Sequence, residues 1–374
     1  MPDVDLILSG GTVVTMNDAF DLLTDGAVAI RGGLIEAVGP TKEIEKTYNA
    51  AAVYDCHNCA VIPGLVNAHT HAAMTLLRGL ADDLRLEVWL MGYMMPVERE
   101  FVRPDFCWLG TQLACAEMIR SGTTCFADMY YFEEAVADAT AQAGLRAVCG
   151  ETLLKFPTPD GPSYEEGLAY TRDFISRWKG HPLIIPALAP HAAYTVTPEL
   201  LQSSVQMALE FDVPLLIHVA ETSQEVNQHR ETYGVPVVHW LEEQGVFEAK
   251  VTAAHCIYLE QSEIRTLANY NVGVAHNPSS NLKLASGVAP VTQMLDAGVN
   301  VGIGTDGPAS NNDLDMVEET RLAALLAKGI MLNPTVVPAR QALAMATIIG
   351  ARALHIEDIT GSLEPGKRAD VAVI

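Results

Sequence analysis

Basic residues are scarce in this chain: 23 Lys and Arg stand against 46 Asp and Glu, a formal net charge of −23 over 374 residues. No basic run occurs, and phosphate recognition needs clustered Lys and Arg, so no nucleic acid is expected as a partner. The acidic excess reads as a solvated surface rather than a site. Uncharged apolar runs of the ~18 residues needed to cross a bilayer are also missing, so no membrane partner is expected. The opening "MPDVDLILSGG" has no basic start and no apolar core before a small-residue cleavage site, which points to the cytoplasm. Seven Cys in such a chain do not suggest a disulfide framework. "DCHNC" sets Cys56 and Cys59 in a CxxC, but no second pair completes a zinc ribbon, and a turn before a strand is expected there. HExxH, GxSxG and the H-x-E with PCxxC signature are absent as well.

What is present is a chain with 49% hydrophobic residues, long enough for one large α/β barrel and an appendage. Residues 1 to about 60 read as an all-β segment of short runs and turns, "DLILSGGTVVTM", "DGAVAIRGGLIEAVG" and "AVYDCHNCAVIPG". "AVIPGLVN" then reads as one strand. It is followed by "TTCFADM", "RAVCGETL", "LIIPALAP", "PLLIHVAE", "VTAAHC", "VGVAHNP" and "VGIGTD", most of them separated by helical stretches. Eight apolar strands alternating with helices are the pattern of a (β/α)₈ TIM-type barrel, with a doubly wound sheet as the alternative. The chain stops on a strand in "GSLEPGKRADVAVI", so strands from both termini are expected to share a small β domain that lacks its last strands. The expected division is residues 1–60 plus 360–374 for that domain and 61–359 for the barrel.

Polar residues gather at the ends of these strands. His69 and His71 stand one residue apart and so share a strand face. His191 follows the fourth strand, and His218 lies in the fifth with Glu221 three residues on. His255 ends the sixth and Asp306 the eighth, and the C-terminal ends of barrel strands are where active sites are built. His69, His71, His218 and Asp306 are the implied metal ligands, a set that suits Zn²⁺, with Fe²⁺ the alternative. Such a metal lowers the pKa of bound water from about 15.7 towards about 7. The fourth strand exit, "APHAAYT", offers no Lys to bridge a second ion, so one metal is expected. His57, His181, His229, His239 and His355 read as surface or satisfied core residues, and His276 as structural although it too ends a strand. "GIGTDG" matches GxGxxG, but loop follows it rather than a helix, so its glycines are expected to clear room around Asp306.

"PGLVNAHTH", "HVAET", "AAHC", "AHNPSSNLKLASG" and "GIGTDGPASNND" resemble the amidohydrolase superfamily, and within it the 5′-methylthioadenosine/S-adenosylhomocysteine deaminase branch, from about residue 5 to the end. The resemblance implies a barrel flanked by a β-sandwich built from both termini, one divalent metal, and a small purine nucleoside as substrate. By motif, His69, His71, His218 and Asp306 match the ligands, and Glu221 the acid that protonates the purine ring. His255 matches the histidine that orients the metal-bound water, and Asp306 also takes that water's proton. In "LEVWLMGYMMPVERE", Glu98 matches the glutamate that holds the ribose hydroxyls, with Trp89 in the pocket wall. His191 matches a histidine that contacts substrate. The loop "KFPTPDGPSYEEG" departs from relatives that carry an Arg there, having Lys155 and no Arg.

The expected activity is a hydrolytic deaminase that turns an adenine nucleoside into its 6-oxo analogue and ammonia. The alternatives are an aminohydrolase or chlorohydrolase for another ring, such as an s-triazine or guanine, and a non-catalytic barrel kept as an assembly protein. Homo-oligomerisation is compatible with the pattern and not specified by it.

Overall fold

The computed structural model describes residues 1–374. Alternation of apolar side chains folds the N-terminal segment into β1 (Asp3–Val14), β2 (Leu22–Arg31) and β3 (Leu34–Pro40), followed by β4 (Asn49–Asp55) and β5 (Ala60–Pro63). The segment is not all strand: Thr41–Thr47 is a helix. Ile44, its one large apolar residue, packs with Val4, Ile7, Ala27 and Ala29. A single anchor in "TKEIEKT" leaves no periodicity to read, so tertiary contact decides the helix.

The run "AVIPGLVN" is two strands in two sheets. Ala60–Pro63 is β5 of the terminal sheet, and β6 (Leu65–Thr70) opens the barrel. Gly64 between them donates its N–H to Asp370 O (2.8 Å), while Leu65 donates to Gly122 O (2.9 Å) on the barrel side. A Cβ on Gly64 would lie 2.0 Å from Thr124 Oγ1, so the chain can cross from sheet to sheet here only without a side chain.

After β6 come β7 (Thr123–Tyr130), β8 (Arg146–Leu153), β9 (Ile184–Pro190), β10 (Leu215–Val219), β11 (Val251–His255), β12 (Gly273–His276) and β13 (Asn300–Ile303). They form one eight-stranded sheet in chain order, each neighbour parallel, which is a (β/α)₈ barrel. Side chains alternate across its wall. Ala68, Cys125, Ala127, Ala187, Ala189 and Ala275 fill the narrow interior, while Phe126 turns outward into the layer shared with the helices. The helices take local start signals: Ser163 accepts from Glu166 N to cap Tyr164–Trp178, and Thr197 accepts from Leu200 N to cap Pro198–Phe211. The barrel ends meet through side chain and backbone. Asn67 Nδ2 donates to Thr305 Oγ1 (2.7 Å), and Asp306 N donates to His69 O (2.9 Å).

The last strand, β14 (Val371–Val373), returns to pair antiparallel with β5, so strands from both termini share a separate mixed sheet in the order β14-β5-β1-β2-β3, with β4 also on β1. Cys56–Cys59 is a turn closed by Cys59 N donating to Cys56 O, and all seven cysteines are free. No helix is long and apolar enough to cross a membrane.

Candidate active site

The C-terminal ends of the barrel strands bring the expected residues into one cleft. His69 is on β6, and His71 is one residue past its end, turned by a φ of −126° into a short 3₁₀ turn. His218 is on β10 and His255 ends β11. Asp306 does not end β13 but lies three residues beyond it, and Glu221 lies two beyond β10. Three of these exits hold non-glycine residues in the left-handed region: Ala220 (φ +51°), His255 (φ +72°) and Asp306 (φ +59°). Each such residue costs about 1–3 kcal/mol, and such strain clusters where side chains must be aimed. The glycines around Asp306 do clear space: a Cβ on Gly304 would lie 2.8 Å from the His69 backbone, and one on Gly307 3.1 Å from His71 Cβ.

Hydrogen bonds set the imidazole tautomers. Carbonyl oxygens only accept, so His71 Nδ1–H donates to Met129 O (2.5 Å) and His218 Nδ1–H donates to His191 O (2.8 Å). Both rings therefore direct Nε2 inward, where a neutral ring presents its lone pair. His69 Nε2 is buried with no hydrogen-bond partner. Asp306 Oδ1 stands 3.2 Å from His71 Nε2 and 3.5 Å from His69 Nε2. Its Oδ2 accepts from the hydroxyls of Ser280 (2.6 Å) and Ser310 (3.0 Å), which fix the carboxylate plane. Ligating atoms of His69, His71 and Asp306 all fall within 4.8 Å of one another, as do those of His69, His218 and His255. An orphaned imidazole nitrogen and inward lone pairs beside an oriented carboxylate fit a divalent cation.

Burial and charge pull the groups apart. Burial drives His69 down to about 4 and His191 to about 3, and pushes His218 well below its ordinary value. Burial opposes charge on His71 too, but the Asp306 carboxylate outweighs it and raises the ring to about 9. Asp306 is held well below the usual carboxylate range: burial works against it, and its contacts with His69 and His71 prevail. Metal binding at such a group displaces a proton.

Glu221 is buried, with Oε2 3.8 Å from His255 Nε2, and burial raises its pKa above the ordinary carboxylate value. His255 Nδ1 is 2.8 Å from Asn281 Oδ1, which leaves Nε2 facing the cleft. Glu98, on the helix Met95–Phe101, is buried and accepts a hydrogen bond from Tyr130 Oη (2.8 Å) on one of its two oxygens. Burial raises the Glu98 pKa, and the Tyr130 bond opposes it. His191 and Trp89 line the same cleft, an open hollow of about 580 Å³, and the Trp89 indole N–H is buried without a partner. Every expected site residue except His69 lines this hollow, and His69 lies directly behind, its ring centroid 4.8 Å from that of His71.

Sequence reading passed over Tyr130, Tyr194, Ser280, Ser310 and Asn281. Tyr130 is the last residue of β7, so the rule that singled out the histidines would have found it. Ser280 and Asn281 sit inside "AHNPSSNLKLASG", where hydroxyl and amide side chains carry no signal of their own. His276, read as structural, is buried at the end of β12 with neither ring nitrogen bonded.

Comparison with known proteins adds to this geometry. The amidohydrolase family model matches residues 60–374, and a model described as an imidazolonepropionase-like composite domain of bacteria matches residues 26–48. The chain is 45% identical over 374 residues to the 5-methylthioadenosine/S-adenosylhomocysteine deaminase 1 of Syntrophus aciditrophicus, covering all of this chain and 84% of the relative. It is 49% identical over 349 residues to the enzyme of that name from Moorella thermoacetica, covering 93% of this chain and 81% of the relative. Among solved structures, an adenosine deaminase from Xanthomonas campestris with bound zinc superposes with a TM-score of 0.97 at 42% identity, covering 100% of this chain and 85% of that one. An atrazine chlorohydrolase from Arthrobacter aurescens complexed with zinc gives 0.90 at 26% identity, covering 98% and 86%. With a family model spanning the whole barrel and relatives near half identity along nearly all of its length, the chain belongs to the amidohydrolase family.

Proposed function

We propose that the chain is a zinc-dependent hydrolytic deaminase of adenine nucleosides, acting on 5′-methylthioadenosine, S-adenosylhomocysteine or adenosine to give the inosine analogue and ammonia. The observation that carries the reading is Glu221, a buried carboxyl set 3.8 Å from His255 beside the His69, His71, His218 and Asp306 donors, its pKa shifted upward by burial. His69, His71, His218 and Asp306 would hold the cation, which when bound supplies a nucleophile at neutral pH by lowering the pKa of water to about 7. His255, its Nδ1–H engaged by Asn281, offers Nε2 to orient that nucleophile towards C6 of the purine. Addition at C6 places negative charge on the ring, and Glu221 answers it by donating its proton to N1. Asp306 takes one proton of the water and passes it to the departing amine, so the C6–N bond breaks to release ammonia. The remaining hydroxyl proton restores Glu221 as the 6-oxo bond forms. Glu98, with one oxygen bound by Tyr130, accepts the ribose hydroxyls with the other, and a free base offers nothing to that group. The names of the relatives and the zinc in the related structures support the same reading.

The test is ammonia release by the zinc-loaded protein from adenosine, methylthioadenosine, S-adenosylhomocysteine, guanine and melamine. Turnover of the adenine nucleosides is expected. Release from guanine or melamine with none from any nucleoside would overturn the reading.

A further inference from the structure

The outer part of the cleft differs from the metal end in one respect that bears on the 5′ substituent. Its wall is apolar or uncharged: Leu86, Trp89, Leu90, Tyr131, Tyr194 and Leu284. Beside the cleft, sharing Leu86, Leu90 and Tyr194 with it, lies a second recess lined by Glu87, Met91, Thr222, Gln224, Glu225 and Gln228. Neither hollow is lined by a Lys or Arg. Lys155, the cation of the loop after β8, lines neither hollow and is held behind the cleft wall, donating through Nζ to the carbonyl of Tyr194 (2.9 Å). The charge a long 5′ substituent would meet is thus the carboxylate of Glu87, since Glu225 is buried, spends both oxygens on the Ala220 and Glu221 amides and is pushed up to about 7.

From this lining, and resting on the deaminase reading above, we infer that the site selects adenine nucleosides with an uncharged, apolar 5′ group, and that Glu87 and the cation-free recess disfavour a 5′ group bearing a carboxylate. With adenine at the metal end and ribose at Glu98, a methylthio group reaches the Leu86–Trp89–Leu90 wall and stops there, burying its thioether against apolar side chains. A homocysteinyl group must extend into the recess. Its ammonium can approach Glu87, but its carboxylate gives up water and finds like charge instead of a partner. Discrimination then comes from a repulsive element placed against the longer substrate, not from a special contact with the shorter one.

The experiment compares kcat/KM for methylthioadenosine and S-adenosylhomocysteine on the zinc-loaded protein and on Glu87→Lys and Lys155→Met, each at low and at physiological salt. We expect methylthioadenosine to be preferred by about tenfold or more. The preference should shrink as salt screens the carboxylates and should narrow or invert in Glu87→Lys. Equal or better use of S-adenosylhomocysteine overturns the inference while leaving the deaminase reading intact. So does a selective loss of S-adenosylhomocysteine turnover in Lys155→Met, since it would show that Lys155 serves the carboxylate. No turnover of any adenine nucleoside overturns both.

Discussion

At the scale of single residues, the site shifts chemically similar groups in opposite directions. Glu221 and Asp306 are both buried carboxyls, yet burial raises the first while imidazole partners hold the second far down. The upward shift suits Glu221 to the proposed role of proton donor, and the downward shift suits Asp306 to that of ligand. Glu221→Gln should therefore keep its zinc, as measured by metal analysis, and lose about 10²- to 10⁴-fold in kcat. Undiminished turnover would end the proton-donor assignment. Tyr130 acts through Glu98 by bonding one of its oxygens. Tyr130→Phe should raise the KM for nucleosides several-fold and add nothing further in a Glu98→Ala background, a coupling that a double-mutant cycle reads directly.

At the scale of elements, what matters is how strand ends are aimed and how segments are joined. Gly64 is the joint between the terminal sheet and β6. Gly64→Ala should cost about 3 kcal/mol or more in denaturant unfolding, because its Cβ meets Thr124, and Thr124→Ala in the same chain should recover part of that loss. On the helix Met316–Met331, Glu319 is buried and binds Ser279 N and Asn311 Nδ2, with burial pushing its pKa up to about 7. Because the value is raised, the folded chain holds a proton between about 4.5 and about 7 that the unfolded chain releases. This group's contribution to stability therefore falls as pH rises through that window. Unfolding free energies of Glu319→Gln and the parent should accordingly diverge in the variant's favour from about pH 4.5 to about 8, by up to about 3 kcal/mol. A pH-independent difference would refute it. Elements with a strong period are legible in the sequence, and the eight barrel strands are among them. The helix Thr41–Thr47 and the break at Gly64 are not, since one depends on a single anchor and the other on a contact with Thr124.

At the scale of the whole molecule, the proposed metal donors also tie the barrel together. They come from β6, from β10 and from the loop after β13, and barrel closure itself passes through the Asp306 N to His69 O bond. A cation bound there favours the folded state by mass action. Chelation should lower Tm by about 5 °C or more, with recovery on adding zinc. An unchanged Tm in a chain shown by metal analysis to have lost its zinc would mean that the donors are organised without the ion.

The sequence by itself determined the strand-and-helix alternation, the small β domain shared by both termini, and which histidines and carboxylates stand at strand exits. Those features rest on period and position, which a linear chain carries. Only the tertiary structure decided that His69 meets His71 and Asp306 in one group and His218 and His255 in another, that His255 lies within reach of Glu221, and that Tyr130 holds Glu98. It also decided that a recess lined by no Lys or Arg lies beside the cleft. The reason is geometric: His69 and Asp306 become neighbours only when β13 closes onto β6, and the aim of Asp306 and His255 depends on left-handed backbone that no residue type there announces.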